Sequence, residues 1–278
     1  MVTPVDYLPD APVELCLDGI TTALIDAGPA EAIDAFALPE SVFDLALIAR
    51  IGPATEPGHV REARGRGVRV FDVDAADPTP ELLDELSHCT VRIPAHGEQL
   101  SAWAEACAGC PVLVVVSHVT PKSLGRAGRA KSVNGAEVCL EVSTDVLWCR
   151  PESIWEAIAD RTIDLVAHHT PRGPGPFTLL MAEAQTRRAL TMERIAELLA
   201  GGPARAARID DRKGILRRSM DADVVVLDAH TPKAASGPPE RGRVNLVLRR
   251  GAFLFLHEEV HAAPTSGVVL SSPLKGSF

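Results

Sequence analysis

CTVRIPAHGEQLSAWAEACAGCPVLVVVSHV, residues 89–119, holds two short apolar runs separated by an amphipathic stretch. The runs CTVRIPAHGE (89–98) and PVLVVVSHV (111–119) are continuous rather than alternating and rich in β-branched residues. That is the pattern of parallel strands buried on both faces. Between them, Leu100, Trp103, Ala104 and Cys107 fall on one face of a helix. Strand, helix, strand in this order is a βα unit.

The pattern repeats on both sides. Upstream lie GITTALIDAG (19–28), FDLALIARIG (43–52) and GVRVFDV (67–73); downstream lie AEVCLEVS (136–143) and IDLVAHHT (163–170). Segment 79–86 opens with Thr-Pro-Glu, a helix cap followed by proline in the first turn. Seven such strands exceed what most single open sheets need, so the economical fold class is α/β, a TIM-like (β/α) barrel. After residue 178 the pattern changes. LLMAEAQTRRAL and TMERIAELLAGG read as two helices, the second capped by Thr191 and ended by Gly201-Gly202. DADVVVLDA (221–229), RVNLVLRRG (243–251) and AFLFLHEEV (252–260) read as antiparallel strands of a small appended sheet. The expected division is a barrel over 1–205, a reduced β-subdomain over 206–262 and a loosely ordered tail over 263–278, where GVVL offers one more edge strand.

Bulk properties narrow the function classes. The 278 residues are 46% hydrophobic and 23% charged, with a net charge of −9, so no basic stripe is available for nucleic acid. The run PVLVVV (111–116) is far too short to span a bilayer. MVTPVDYLPD lacks the basic and apolar regions of a secretory signal, and six scattered cysteines suit reduced thiols, so a cytoplasmic protein is expected. Cys107-Ala-Gly-Cys110 reads as two buried small residues where a helix hands over to a strand, with a redox or metal site as the alternative. GRAGRAKSVNG (125–135) has neither GK[ST] nor GxGxxG, and Ser117-His118 lacks the GxSxG elbow.

In a parallel barrel the chemistry sits where strands end. His96 follows VRIPA, His118 follows VLVVVS, His168-His169 follow IDLVA, and Arg69, Asp72 and Asp74 lie in GVRVFDVD. A lone histidine at a strand end is most often a hydrogen-bonded structural residue. Three strands each delivering one suggest a metal or proton-transfer site, because imidazole serves both chemistries.

The ordered set of motifs resembles the cyclic amidohydrolases, the group of dihydroorotase, allantoinase and hydantoinase. DGITTALID is similar to the family's Gly-Val-Thr-Thr strand, PAHGEQ to its His-Ala-Glu, and VLVVVSHVTPKS to its Val-His-Val-Ser. AEVCLEVSTDVLW, VAHHTPRG, GPARAARI and KGILRRSMDADVVVLD follow in family order, from about residue 18 to 251. The resemblance implies a two-metal barrel that opens or closes a cyclic amide. This chain departs from it. If VDYLPD is the remnant of the first barrel strand, Leu8 and Asp10 stand where two histidines belong. Arg69 takes the place of the bridging, carbamylated lysine, and His168 that of an aspartate; His96 and His118 match the family's second-metal pair. Arginine stays protonated and cannot bridge two cations, so the usual binuclear centre is not expected.

Three readings stay open at this point. In the first, His96, His118 and His168 hold one zinc ion with water as fourth ligand, and Asp72 or Asp10 accepts a proton. In the second, no metal binds: histidine is acid and base, and Arg69, His169 and Arg172 are the residues expected to bind a carboxylated cyclic amide or ureido acid. In the third, the chain is a non-catalytic scaffold or regulatory partner of another enzyme. Neighbouring residues of a strand point to opposite faces, so of the adjacent histidines His168 is expected to face the site. A rim left by the missing N-terminal strand is where a homodimer would form.

Overall fold

The structure is a computed structural model that describes residues 2–4, 15–16, 18–168, 176–183, 190–227, 244–257, 259–263 and 266–270. Eight parallel strands run in chain order: β1 (Val2–Pro4), β2 (Thr22–Pro29), β3 (Asp44–Ile51), β4 (Val70–Val73), β5 (Thr90–Pro94), β6 (Leu113–Ser117), β7 (Glu137–Ser143) and β8 (Leu165–Ala167). The sheet curls until β8 lies beside β1. Helices α1 (Pro57–Gly65), α2 (Pro80–Glu85), α3 (Leu100–Ala106), α4 (Leu124–Lys131), α5 (Thr144–Trp148) and α6 (Glu152–Ala159) fill the crossovers, and α7 (Pro176–Glu183) follows β8. The expected TIM-like frame is present, with one more strand than the apolar runs announced. That strand is Val2–Pro4, upstream of VDYLPD; residues 5–10 lie outside the described residues.

Strands β2 to β8 are largely buried on both faces, and the period of two sorts their side chains into two cores. Val91, Ile93, Val114, Val116 and Leu140 point outward against the helices, with Trp103, Ile154 and Trp155. Leu24, Ala46, Ile48 and Val70 point inward and meet Ala204, Ala207 and Ile209, while Leu113, Val115, Cys139 and Leu165 meet Ala206. Segment 204–209 therefore plugs the start of the barrel. Charged groups are left further along the strands. Thr79 caps α2 by accepting from Leu82 N at 3.3 Å, and Thr191 caps α8 (Met192–Ala196) by accepting from Arg194 N at 3.2 Å, as the cap signals required.

Gly201-Gly202 does not end a helix. After α8 the backbone passes through a π-helical turn, Glu197–Gly201, straight into α9 (Gly202–Ala206). The glycine pair has a packing reason: a Cβ on Gly202 would lie 2.5 Å from the Asp164 carbonyl oxygen and 3.1 Å from Leu165 Cβ. Gly202→Ala should accordingly cost ~1–3 kcal/mol, the usual price of overpacking, in a urea melt; an unchanged midpoint would show that the contact yields.

Strands β9 (Val224–Leu227), β10 (Val244–Arg249), β11 (Ala252–Leu256) and β12 (Glu259–Val260) form a separate antiparallel sheet, as expected of the appended segment. Barrel and small sheet meet at Lys213, which is 2% exposed. Its ammonium lies 2.8 Å from Asp44 at the start of β3, 3.1 Å from Asp221 and 2.8 Å from Asp223. Burial pushes the Asp223 carboxyl up, but the charge and hydrogen bond of Lys213 outweigh this and hold it below the usual carboxylate range. Of the tail, residues 268–270 bond to the barrel: Val268 O accepts from Leu45 N at 2.8 Å, and Leu270 N donates to Leu45 O at 2.7 Å.

All six cysteines are free. Burial pushes the Cys107 thiol up to about 12, so it is a neutral thiol at ordinary pH. Nucleophilic and metal-binding cysteines act as thiolates, so the packing reading of the CxxC agrees with its surroundings.

Candidate active site at the barrel mouth

The inward positions near the ends of the strands carry a line of alternating charge. Arg50 on β3, Asp72 on β4 and Arg92 on β5 share one rung of the ladder. Arg50 Nε lies 3.3 Å from Asp26 Oδ2 on β2. On the other flank Arg92 reaches two carboxylates at once: Nη1 donates to Asp72 Oδ1 at 2.8 Å, and Nη2 to Glu141 Oε1 on β7 at 2.9 Å. Parallel strands place these residues side by side because Asp72, Arg92 and Glu141 all occupy the inward phase of their strands. The order is Asp26, Arg50, Asp72, Arg92, Glu141: minus, plus, minus, plus, minus.

Burial differs along the line. The Arg92 and Glu141 side chains are 7% and 1% exposed, whereas Asp72 is 37% exposed and faces the opening. Burial alone would lower the Arg92 pKa, but the two carboxylates more than compensate and fix it as a cation. The Asp72 carboxyl is raised above the usual range, first by burial and further by Glu141 and Asp26, against the opposing pull of Arg92. A carboxyl with a raised pKa that opens to solvent has the properties of a general acid or base.

The residues expected to form the site are dispersed. Asp72 lies on the inward phase of β4 with its side chain 37% exposed. Arg69 does not: it precedes the first rung of β4, and Nη1 donates to the backbone oxygens of Arg64 at 2.9 Å and Val68 at 2.8 Å. Arg69 and Asp72 are three positions apart, so strand alternation turns the two side chains to opposite faces. His96 and His118 are exposed beyond the ends of β5 and β6, and His118 has left-handed backbone, φ 55°. His168 is buried but faces the outer layer, where Nδ1 lies 2.9 Å from Thr144 Oγ1 and Nε2 lies 3.6 Å from Asp18 Oδ2. The inward phase of β8 belongs to Leu165, a member of the lumen core, and so to Ala167. Asp10, His169 and Arg172 lie outside the described residues.

The three-histidine zinc set is thus not assembled. Among the described residues no group of three or more His, Cys, Asp or Glu side chains is placed to hold a metal ion. The carboxylates nearest the barrel axis do not suit one either, because Asp72 and Glu141 share a guanidinium that cannot give up its proton. A divalent cation would have to sit against that charge. The donor set does not fit the metal centre that the resemblance implies.

The parallel eight-stranded barrel with a small antiparallel sheet beside it is a fold shared with solved dihydropyrimidinase and hydantoinase structures. Dihydropyrimidinase from Brevibacillus agri NCHU1002 superposes with a TM-score of 0.74 at 14% identity, over 97% of this chain and 87% of that one. D-hydantoinase from a Bacillus sp. AR9 gives 0.74 at 17% identity, over 97% and 88%. The inactive dihydroorotase-like domain of the Chaetomium thermophilum CAD-like multifunctional protein gives 0.62 at 14% identity, over 97% of both chains. In sequence, an allantoinase from Solibacter usitatus is 26% identical over 143 residues, which is 39% of this chain and 31% of that protein. No protein-family model matches the sequence. Among the described residues no helix is long and apolar enough to cross a membrane.

Proposed function

We propose that this chain is a diverged cyclic-amidohydrolase-type barrel whose mouth works without a metal ion. The observation that carries the reading is Arg92, buried between Asp72 and Glu141, a fixed cation where the resemblance calls for metal ions. The substrate class is a small cyclic amide or the corresponding ureido acid, by analogy with hydantoinase, dihydropyrimidinase and allantoinase. Ring opening adds water across the C–N bond: the oxygen goes to the carbonyl carbon and a proton to the departing nitrogen. Asp72 is the group suited to moving that proton. Arg50, whose side chain is 48% exposed, is the cation suited to a substrate carboxylate.

Turnover of a hydantoin or dihydropyrimidine ring, read as ureido acid formed, should fall by about two to four orders of magnitude in Asp72→Asn. Arg50→Gln should mainly raise KM. Circular dichroism checks that both variants remain folded. A parent-like kcat in Asp72→Asn removes that residue from the reaction. Metal independence has its own test: equimolar zinc or excess chelator should leave the melting temperature and the activity unchanged. One zinc ion retained per chain, with stabilisation on addition, would restore the metal reading.

A second reading, a non-catalytic scaffold or regulatory partner, is favoured by the inactive dihydroorotase-like domain that covers 97% of this chain and is itself covered over 97%. The mutual neutralisation of Asp72, Arg92 and Glu141 also supports it. Absence of turnover across ring sizes in the folded parent chain selects this reading. Six free cysteines support a reducing compartment for either one.

A further inference from the structure

At the end of the barrel opposite the Arg92 line, three arginines gather where β4 and β5 begin. Arg69 sits one rung below the first pair of these strands, beside Cys89, and its carbonyl accepts from Thr90 N at 2.8 Å. Its guanidinium donates to Arg64 O at 2.9 Å, which brings the last turn of α1 against it. Arg64 reaches on to the end of α2, where Nη1 donates to Glu85 O. From the segment that plugs the barrel, Arg208 Nη2 donates to Cys89 O at 3.2 Å. The Cys89 thiol marks where the three converge: burial pushes its pKa up, and Arg64, Arg69 and Arg208 all pull the other way.

Like charges so close together call for an anion. The carboxylate nearest Arg64 is Glu85, at 3.8 Å, and the exposed Arg61 shares it. Arg208 forms no ion pair with a described residue, and its single hydrogen bond goes to a carbonyl. Nε of both Arg64 and Arg208 is buried without an acceptor. Each also keeps a terminal nitrogen without one, Nη2 of Arg64 and Nη1 of Arg208. Arg208 holds this place on left-handed backbone, φ 56°, a conformation that costs energy in any residue but glycine. A local excess of cations also runs against the net charge of −9. We propose that this rim binds a phosphate-type dianion, gripped by Arg64 and Arg208, with Arg69 adding charge from beneath. Guanidinium forks match the several oxygens of a phosphoryl group, and a dianion offsets more of the gathered charge than one carboxylate can. The site lies at the far end of the strands from Asp72, so the proposal does not depend on any reading of the barrel mouth.

The test is calorimetric titration of the full chain with inorganic phosphate, methyl phosphate and acetate, at constant ionic strength and about pH 8, where the phosphates are dianions. Phosphate should bind saturably at one per chain and at least about tenfold more tightly than acetate. Methyl phosphate as tight as phosphate upholds the site as one for a phosphorylated small molecule; methyl phosphate much weaker upholds it as one for the free ion. Arg208→Gln and Arg64→Gln should each weaken phosphate about tenfold or more, and Arg208→Lys should weaken it less than Arg208→Gln. Circular dichroism checks the fold of each variant, and where one fails to fold the other decides. If neither folds, the comparison of phosphate with acetate on the parent chain decides. No saturable binding of phosphate, acetate as tight as phosphate, or parent-like affinity in a folded Arg208→Gln or Arg64→Gln overturns the proposal.

Discussion

Near pH 7, Arg92→Met is expected to lower the stability of the protein by about 3–5 kcal/mol, the usual loss when one partner of a buried ion network is removed. The cause is the pair left behind. Glu141 is 1% exposed, and with Asp72 it would face the emptied guanidinium site without the shared cation. Without the Arg92 charge the Asp72 carboxyl, already raised above the usual range, holds its proton more tightly still in the folded chain, so its contribution to stability is full below the unfolded value of about 4 and is lost as pH rises through the folded value. The deficit of Arg92→Met should therefore be small near pH 4 and grow toward neutrality, which chemical denaturation at several pH values would display. Arg92→Lys should rescue only in part, because an ammonium is a point charge and cannot repeat the two-sided fork. The triple replacement Asp72→Asn, Arg92→Met, Glu141→Gln should regain much of the loss, since no buried charge is stranded. A parent-like midpoint for Arg92→Met at neutral pH would contradict the whole description of the barrel mouth.

The second large effect lies at the other end of the strands. Lys213→Met is expected to cost roughly 3–5 kcal/mol, by the same rule. Asp44 is fully buried, and Asp221 and Asp223 share its ammonium. Arg249 and Arg250 lie 3.8 and 3.5 Å from Asp44 and would soften the loss without replacing the hub. Here the pH sign is opposite. Asp223 has a depressed folded pKa, so its contribution is present above the unfolded value of about 3.9 and is lost as pH falls through the folded one. The parent should weaken on acidification in that window, and Lys213→Met should show a flatter acid limb. Equal acid sensitivity in the two proteins would exclude Lys213 as the source.

The contrast between these two networks explains what could be read from the sequence. Continuous apolar runs announced the strands, and Thr79 and Thr191 announced helix starts, because local chemistry decides both. The site was harder. Histidines at strand ends drew attention because imidazole is versatile, yet His168, just past β8, is buried against Thr144, and His96 and His118 are exposed beyond their strands. Arg92 interrupts VRIP and Glu141 interrupts the apolar run VCLEVS, each a charge inside an apolar strand, which is itself a signal. A charge in a strand buried on both faces must find a partner on a neighbouring strand. The phase of two would also have separated Arg69 from Asp72. Gly201-Gly202 was legible as glycine but not as packing, since the Asp164 carbonyl that demands it lies on another element.

The bond from Val268 N to Asp44 Oδ1 joins groups 224 residues apart, and the neighbouring backbone of Leu45 pairs with the same short segment. During synthesis the third barrel strand leaves the ribosome long before that segment exists. Until then the opening residues of the strand are an unfinished sheet edge, able to recruit an extended peptide from another chain. The final closure is a long-range step of high entropic cost and should be slow relative to helix formation. Proteostasis of this protein would accordingly be decided in the interval between making residue 44 and making residue 268, when a chaperone has most to shield.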